Sequence, residues 1–106
     1  MPEDKNIFYF SRARTALKYG IKALGLKEGH EILIPDFLCD SIFQPLIQNS
    51  LHYKIYNLND SLNPNWHSLN NLISDKTKAI LMVHYFGQPQ DTDKFIKFSE
   101  DNNLFL

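Results

Sequence analysis

Four apolar runs, separated by stretches with helical periodicity, constrain this chain more than any other feature. The first is Ile32-Leu33-Ile34, closed by Pro35. The second is Tyr53-Lys54-Ile55-Tyr56, the third Ala79-Ile80-Leu81-Met82-Val83, and the last Leu104-Phe105-Leu106. The first and third are nearly continuous in aliphatic residues, the pattern of strands covered on both faces. The second alternates less cleanly, which predicts a less buried strand. Strands are expected near 31–34, 53–56 and 78–84, with a fourth opening at Leu104.

The gaps read as helices. Ala13, Ala16, Leu17, Gly20, Ile21 and Leu24 share one helical face, which predicts a helix over 13–24, capped by Ser11 and stopped at Gly25. A second, over 41–49, carries Ile42, Phe43, Leu46 and Ile47 inward. Asp40 or Ser41 can cap it, and Pro45 is tolerable near the first turn. A third, over 65–74, starts from an Asn63 cap and Pro64 in the first helical position, with Trp66, Leu69, Leu72 and Ile73 inward. A fourth, over 92–101, is capped by Asp91 and buries Phe95, Ile96 and Phe98. Such alternation argues for an α/β fold of three layers (αβα) with a mostly parallel sheet and right-handed crossovers. No repeat, linker or low-complexity tract divides residues 1–106, so they are expected to form one unit.

Composition narrows the function. Eleven Lys and Arg against twelve Asp and Glu give a formal net charge of −1, which argues against a sequence-blind nucleic-acid binder. The single cysteine, Cys39, rules out an intrachain disulfide and fits a reducing, cytoplasmic setting. No apolar run approaches the roughly 20 residues of a membrane span. Met1-Pro2-Glu3-Asp4-Lys5 lacks the form of a secretory leader. A chain that stops on Leu104-Phe105-Leu106, as a strand opens, is expected to be the N-terminal piece of a longer protein.

Ligands of open parallel sheets bind beyond the carboxyl ends of the strands. Here those ends are Pro35 to Asp40, Asn57 to Asn63, and His84-Tyr85-Phe86-Gly87-Gln88-Pro89. The first and third mix aromatic, polar and turn residues. The start of the first helix, Ser11-Arg12-Ala13-Arg14-Thr15-Ala16, offers amides, a hydroxyl and two guanidinium groups to an anion; Arg12 and Arg14 read equally as solvated surface. Cys39 has no recognisable base and reads as a small apolar filler. His84 reads either as a ligand contact or as a hydrogen-bonded residue at a loop start. His30, His52 and His67 read as solvated. No spacing suggests a metal site, a P-loop or a dinucleotide glycine motif.

The order of these motifs resembles the N-terminal part of the DegT/StrS-type sugar aminotransferases, fold-type I enzymes that use pyridoxal 5′-phosphate (PLP). The matching stretches are SRARTALKYGIKALGLKEGHEILIPDFLCDS, then Leu62-Asn63-Pro64-Asn65-Trp66 through Asp91, with KTKAILMVHYFGQPQD the most specific run. The resemblance implies a partial fold-type I large domain. It assigns the phosphate to Ala13-Arg14-Thr15, where the family usually has a Gly-Thr pair, with the Arg14 and Thr15 amides facing the strand ends near Cys39 and His84. It puts Cys39 where many members stack an aromatic ring on the cofactor. It matches VHYFG to the family's VHxxG pattern, with Gly87 as the turn and His84 on the cofactor side.

The same resemblance implies amino transfer, with glutamate as donor, to a nucleotide-linked keto-sugar. It also implies a homodimer and a place in nucleotide-sugar and cell-surface polysaccharide synthesis. The family's Schiff-base lysine and pyridine-binding aspartate would fall beyond Leu106. No catalytic residue is expected in these residues, and the 106-residue chain alone is expected to be inactive. The alternative is a non-catalytic α/β binding or regulatory domain that keeps the fold without the chemistry.

Overall fold

The computed structural model describes residues 8–106; the Met1-Pro2-Glu3-Asp4-Lys5 stretch lies outside them. Helix α1 (Ala13–Ala23) leads to strand β1 (Glu31–Pro35), and a 3₁₀ turn (Asp40–Ile42) runs into α2 (Phe43–Gln48). Strand β2 (His52–Tyr56), helix α3 (Trp66–Asn70), strand β3 (Thr77–Ile80) and helix α4 (Thr92–Asp101) complete the order. The sheet order is β2-β1-β3, and both pairings are parallel. Phe105 continues the sheet with a parallel bridge to Ala79, where the Ile80 amide donates to the Phe105 carbonyl at 2.9 Å.

The period of two along β1 builds the layers. Ile32 and Ile34 face one side and pack with Ile21 of α1, Leu46 of α2, Leu51 and Ala79. Leu33 faces the other side and packs with Tyr56, Leu69 of α3, Ile80, and Phe95 and Phe98 of α4. Helices α1 and α2 therefore cover one face and α3 and α4 the other, as a three-layer αβα architecture requires. Leu33, Ile34, Leu46 and Leu69 have no exposed surface, and each contributes about 1.5–3 kcal/mol by leaving water. In β2 only Tyr56 is fully buried, in keeping with its weaker pattern.

Several expected details are corrected. Strand β3 ends at Ile80, not at 84. The Leu81 amide still reaches the Leu33 carbonyl at 2.8 Å, but β1 then ends in Pro35, which has no N–H to continue a ladder. The Leu81 carbonyl instead accepts from the Tyr56 hydroxyl at 2.6 Å. Helix α3 stops at Asn70, because Asn70 and Asn71 are weak helix formers and its last turn tightens, the Leu72 amide reaching only to Leu69. Its cap is Asn65, whose side chain accepts from the Ser68 amide; Pro64 stays outside in a bridge to Leu58. Neither Asp40 nor Ser41 caps α2; both lie inside the 3₁₀ turn that leads into it. Ile47 is 70% exposed and Ile96 40%, so neither belongs to an inner stripe. Asp91 caps α4 by accepting from the Lys94 amide. His30 is half-buried, its Nδ1 accepting from the Lys27 amide at 3.0 Å.

Candidate active site at the strand ends

The carboxyl ends of the three strands are stitched together. The Asp36 amide donates to the Tyr56 carbonyl at 3.0 Å, and the Asp36 carboxylate accepts from the Leu58 amide at 3.3 Å. Tyr56 reaches across to Leu81. Tyr85 closes the circuit, its hydroxyl donating to the Phe37 carbonyl and its ring stacking on Phe37 at 5.4 Å between centroids. Burial pushes the Tyr85 phenol up from its ordinary value, and the Asp36 carboxylate adds to this. Burial also raises Tyr56, so both phenols stay neutral donors near pH 7.

Helix α1 begins without a capping side chain. Its N-cap is Arg12, not Ser11, and Arg12 offers no oxygen to the first amides. The Thr15 and Ala16 amides both donate to the Arg12 carbonyl at 3.1 Å. The Thr15 amide is thus spent inside the helix, and the amides that precede the first intrahelical bond are those of Ala13 and Arg14. Arg14 is half-buried and pairs with no carboxylate among the described residues.

Cys39 precedes the 3₁₀ turn at the end of the β1 loop and is exposed. The Ser41 hydroxyl donates to its Sγ at 3.2 Å. That bond, the Ser41 backbone and the Arg14 charge lower the thiol's pKa from its ordinary value. The His84 Nδ1 accepts from the Gln90 amide at 2.9 Å.

Sequence reasoning did not single out Tyr85, Asp36 or Gln90. Tyr85 had one available signal, an aromatic residue in a strand-end loop opposite another, Phe37. Phe86 and Gly87 form the corner of that loop, with φ of 51° and 75°, and the Gln88 amide donates to the Tyr85 carbonyl at 2.8 Å. Two successive left-handed residues make a tight turn of the hairpin type, and glycine in the second position spares one of the two from strain.

The arrangement suits an anion: the Ala13 and Arg14 amides have no capping side chain, and Arg14 pairs with no carboxylate among the described residues. Residues 4–106 match the model of the DegT/DnrJ/EryC1/StrS aminotransferase family. The chain is 32% identical over 81 residues to a GDP-4-keto-6-deoxy-D-mannose 3-dehydratase of Yersinia pseudotuberculosis, covering 76% of this chain and 21% of that protein. It is 29% identical over 102 residues to a GDP-perosamine synthase of Escherichia coli O157:H7, covering 91% and 27%. A solved GDP-4-keto-6-deoxymannose-3-dehydratase "with a trapped PLP-glutamate geminal diamine" superposes with a TM-score of 0.75 at 31% identity, covering 89% of this chain and 26% of that one. The chain spans about a quarter of the length of these relatives. Among the described residues no helix is long and apolar enough to cross a membrane.

Proposed function

Because the chain belongs to the DegT/DnrJ/EryC1/StrS aminotransferase family, we propose that it forms the N-terminal part of the large domain of a PLP-dependent enzyme. In this reading the whole protein is cytoplasmic and homodimeric, and it moves an amino group from glutamate to a nucleotide-linked keto-sugar. The observation that carries the reading is the uncapped start of α1 beside Arg14, which pairs with no carboxylate among the described residues. A helix start of this kind favours a phosphate through its free amides and its dipole.

The residues present fit the cofactor. Ala13 and Arg14 would hold its phosphate by their amides, Arg14 would add charge, and Thr15 would support the same turn. Cys39 would cover the ring face that an aromatic residue covers in many members. His84, held by the Gln90 amide, would orient the strand-end loop on the cofactor side. When bound, PLP supplies the electron sink for the bond changes at the substrate's carbon. The tyrosine ties hold the loops still, so that the cofactor meets a preformed wall.

A second reading has its own support. Two of the relatives are 3-dehydratases, at 32% and 31% identity against 29% for the synthase. On that reading the whole protein uses PLP to remove a hydroxyl from the sugar instead of adding nitrogen. The test is to incubate the whole protein with PLP, glutamate and a nucleotide-linked 4-keto-sugar, then analyse the product. An amino sugar supports transfer, and a deoxy sugar supports dehydration. The absence of saturable PLP binding would favour a non-catalytic domain instead.

A further inference from the structure

Helices α1 and α2 form a groove with a cavity of about 250 Å³, walled by Arg14, Thr15, Lys18, Gln44, Pro45 and Gln48 among others. Neither Ala13 nor Cys39 is among the residues that wall it. The two walls are held at a fixed spacing. The Asn49 side-chain nitrogen donates to the Lys18 carbonyl at 3.3 Å and to the Pro45 carbonyl at 2.8 Å, which ties one helix to the other.

Helical spacing makes each wall a short ladder. Arg14 and Lys18 stand four residues apart on α1, and Gln44 and Gln48 four apart on α2, so each pair shares a helix face. Both cations are half-buried, and neither pairs with a carboxylate among the described residues. No acidic residue walls the cavity. The Lys18 Nζ has the Tyr19 ring as a neighbour, 5.6 Å from its centroid. The stability of α1 does not account for these charges. Like charges one turn apart weaken a helix, and cations toward its N-terminus oppose its dipole. Helix α1 contains no acidic residue to offset either effect. The chain as a whole carries a formal net charge of −1, so the positive charge is concentrated locally.

The polar residue types on the walls are all donors: a guanidinium, an ammonium, a hydroxyl and two carboxamides. Two positive charges among such donors, with no carboxylate beside them, match a compact oxyanion with several acceptor oxygens. The volume is on the scale of a phosphoryl group with a few of its waters. We propose that the groove between α1 and α2 binds a phosphoryl anion, either free orthophosphate or the phosphate of a small phosphate ester. Arg14 and Lys18 supply the charge, and Gln44 and Gln48 supply amide donors from the facing helix. An anion there also removes the repulsion between the two cations. The proposal does not depend on the cofactor reading.

The test uses the whole protein, once free of PLP and once loaded with it. Inorganic phosphate and glycerol 3-phosphate are titrated by calorimetry, with chloride holding the ionic strength constant so that general screening cancels. At least one probe should bind saturably, with a Kd on the order of 1 mM, and PLP loading should change that value by less than about threefold. Lys18→Ala should weaken binding by about tenfold or more, the loss of one charge-assisted contact, and Lys18→Arg should retain it. Gln48→Ala should weaken it by about threefold. Binding of the ester assigns the groove to phosphate esters, and binding of inorganic phosphate alone assigns it to the free ion. No saturable binding of either probe overturns the proposal, as does binding that Lys18→Ala leaves unchanged. Binding that PLP loading abolishes also overturns it, since the probe then occupies the cofactor's place at the start of α1. PLP uptake is read by absorbance in the same samples, so failure of the cofactor reading is distinguishable from failure of the groove.

Discussion

The Tyr85 hydroxyl donates to the Phe37 carbonyl across 48 residues of sequence, and the two rings stack over the same contact. This one side chain joins the loop after β3 to the loop that carries Cys39. In the whole protein, Tyr85→Phe keeps the stack and removes the donor, so stability should fall by about 1 kcal/mol. Tyr85→Ala removes the stack as well and should cost about 0.5–1.5 kcal/mol more. Urea denaturation checks both. An unchanged midpoint for Tyr85→Phe would mean that the tie adds nothing over water.

At the opposite end of the strands, Glu31 sets an acid limit. The Ser74 hydroxyl donates to its carboxylate, Lys54 lies 3.5 Å away, and Thr77 adds a long contact. These contacts, led by Ser74, hold its pKa below 4.5 against the opposing effect of burial. A carboxylate depressed in the folded state stabilises fully above its unfolded value and loses that contribution as pH falls through the folded value. Stability should therefore decline below about pH 4.5, and Glu31→Gln should flatten that limb of the profile. Urea midpoints measured across the acid range decide this; an identical slope in the variant would contradict it.

How much was legible in advance depended on the range of the interaction. β1 and β2 were legible because short apolar runs end in a proline or a turn. The end of β3 was not, since the apolar run continues through Val83 while Pro35, far off in sequence, ends the ladder. The α3 cap went to Asn65 instead of Asn63, a choice decided by the Leu58–Pro64 bridge. In the site, Ala13, Arg14, Thr15, Cys39 and His84 came from a resemblance in motif order. The bond from the Gln90 amide to His84 and the Tyr85 tie depend on loops meeting in space, which no local pattern records.

Cys39 offers a test in the direction of gain. The resemblance puts Cys39 where many family members stack an aromatic ring, and Cys39 is exposed. Cys39→Tyr should tighten PLP binding several-fold, on the order of the 0.5–1.5 kcal/mol of a ring pair. Equilibrium dialysis of the whole protein with PLP measures it. Weaker binding in the variant would place the cofactor ring away from this loop.

The central claim is that the start of α1 holds the cofactor phosphate, and Ala13→Asp separates that role from a structural one. A carboxylate in the first turn of a helix favours the helix dipole by about 0.3–1 kcal/mol, so fold stability should hold or rise slightly. The same charge repels a phosphate at those amides. The decisive measurement is the PLP dissociation constant of the whole protein with and without Ala13→Asp, beside its urea midpoint. The account predicts binding weakened by about tenfold or more, the cost of one unfavourable charge contact, at unchanged or higher stability. PLP bound as tightly as in the parent protein would contradict it.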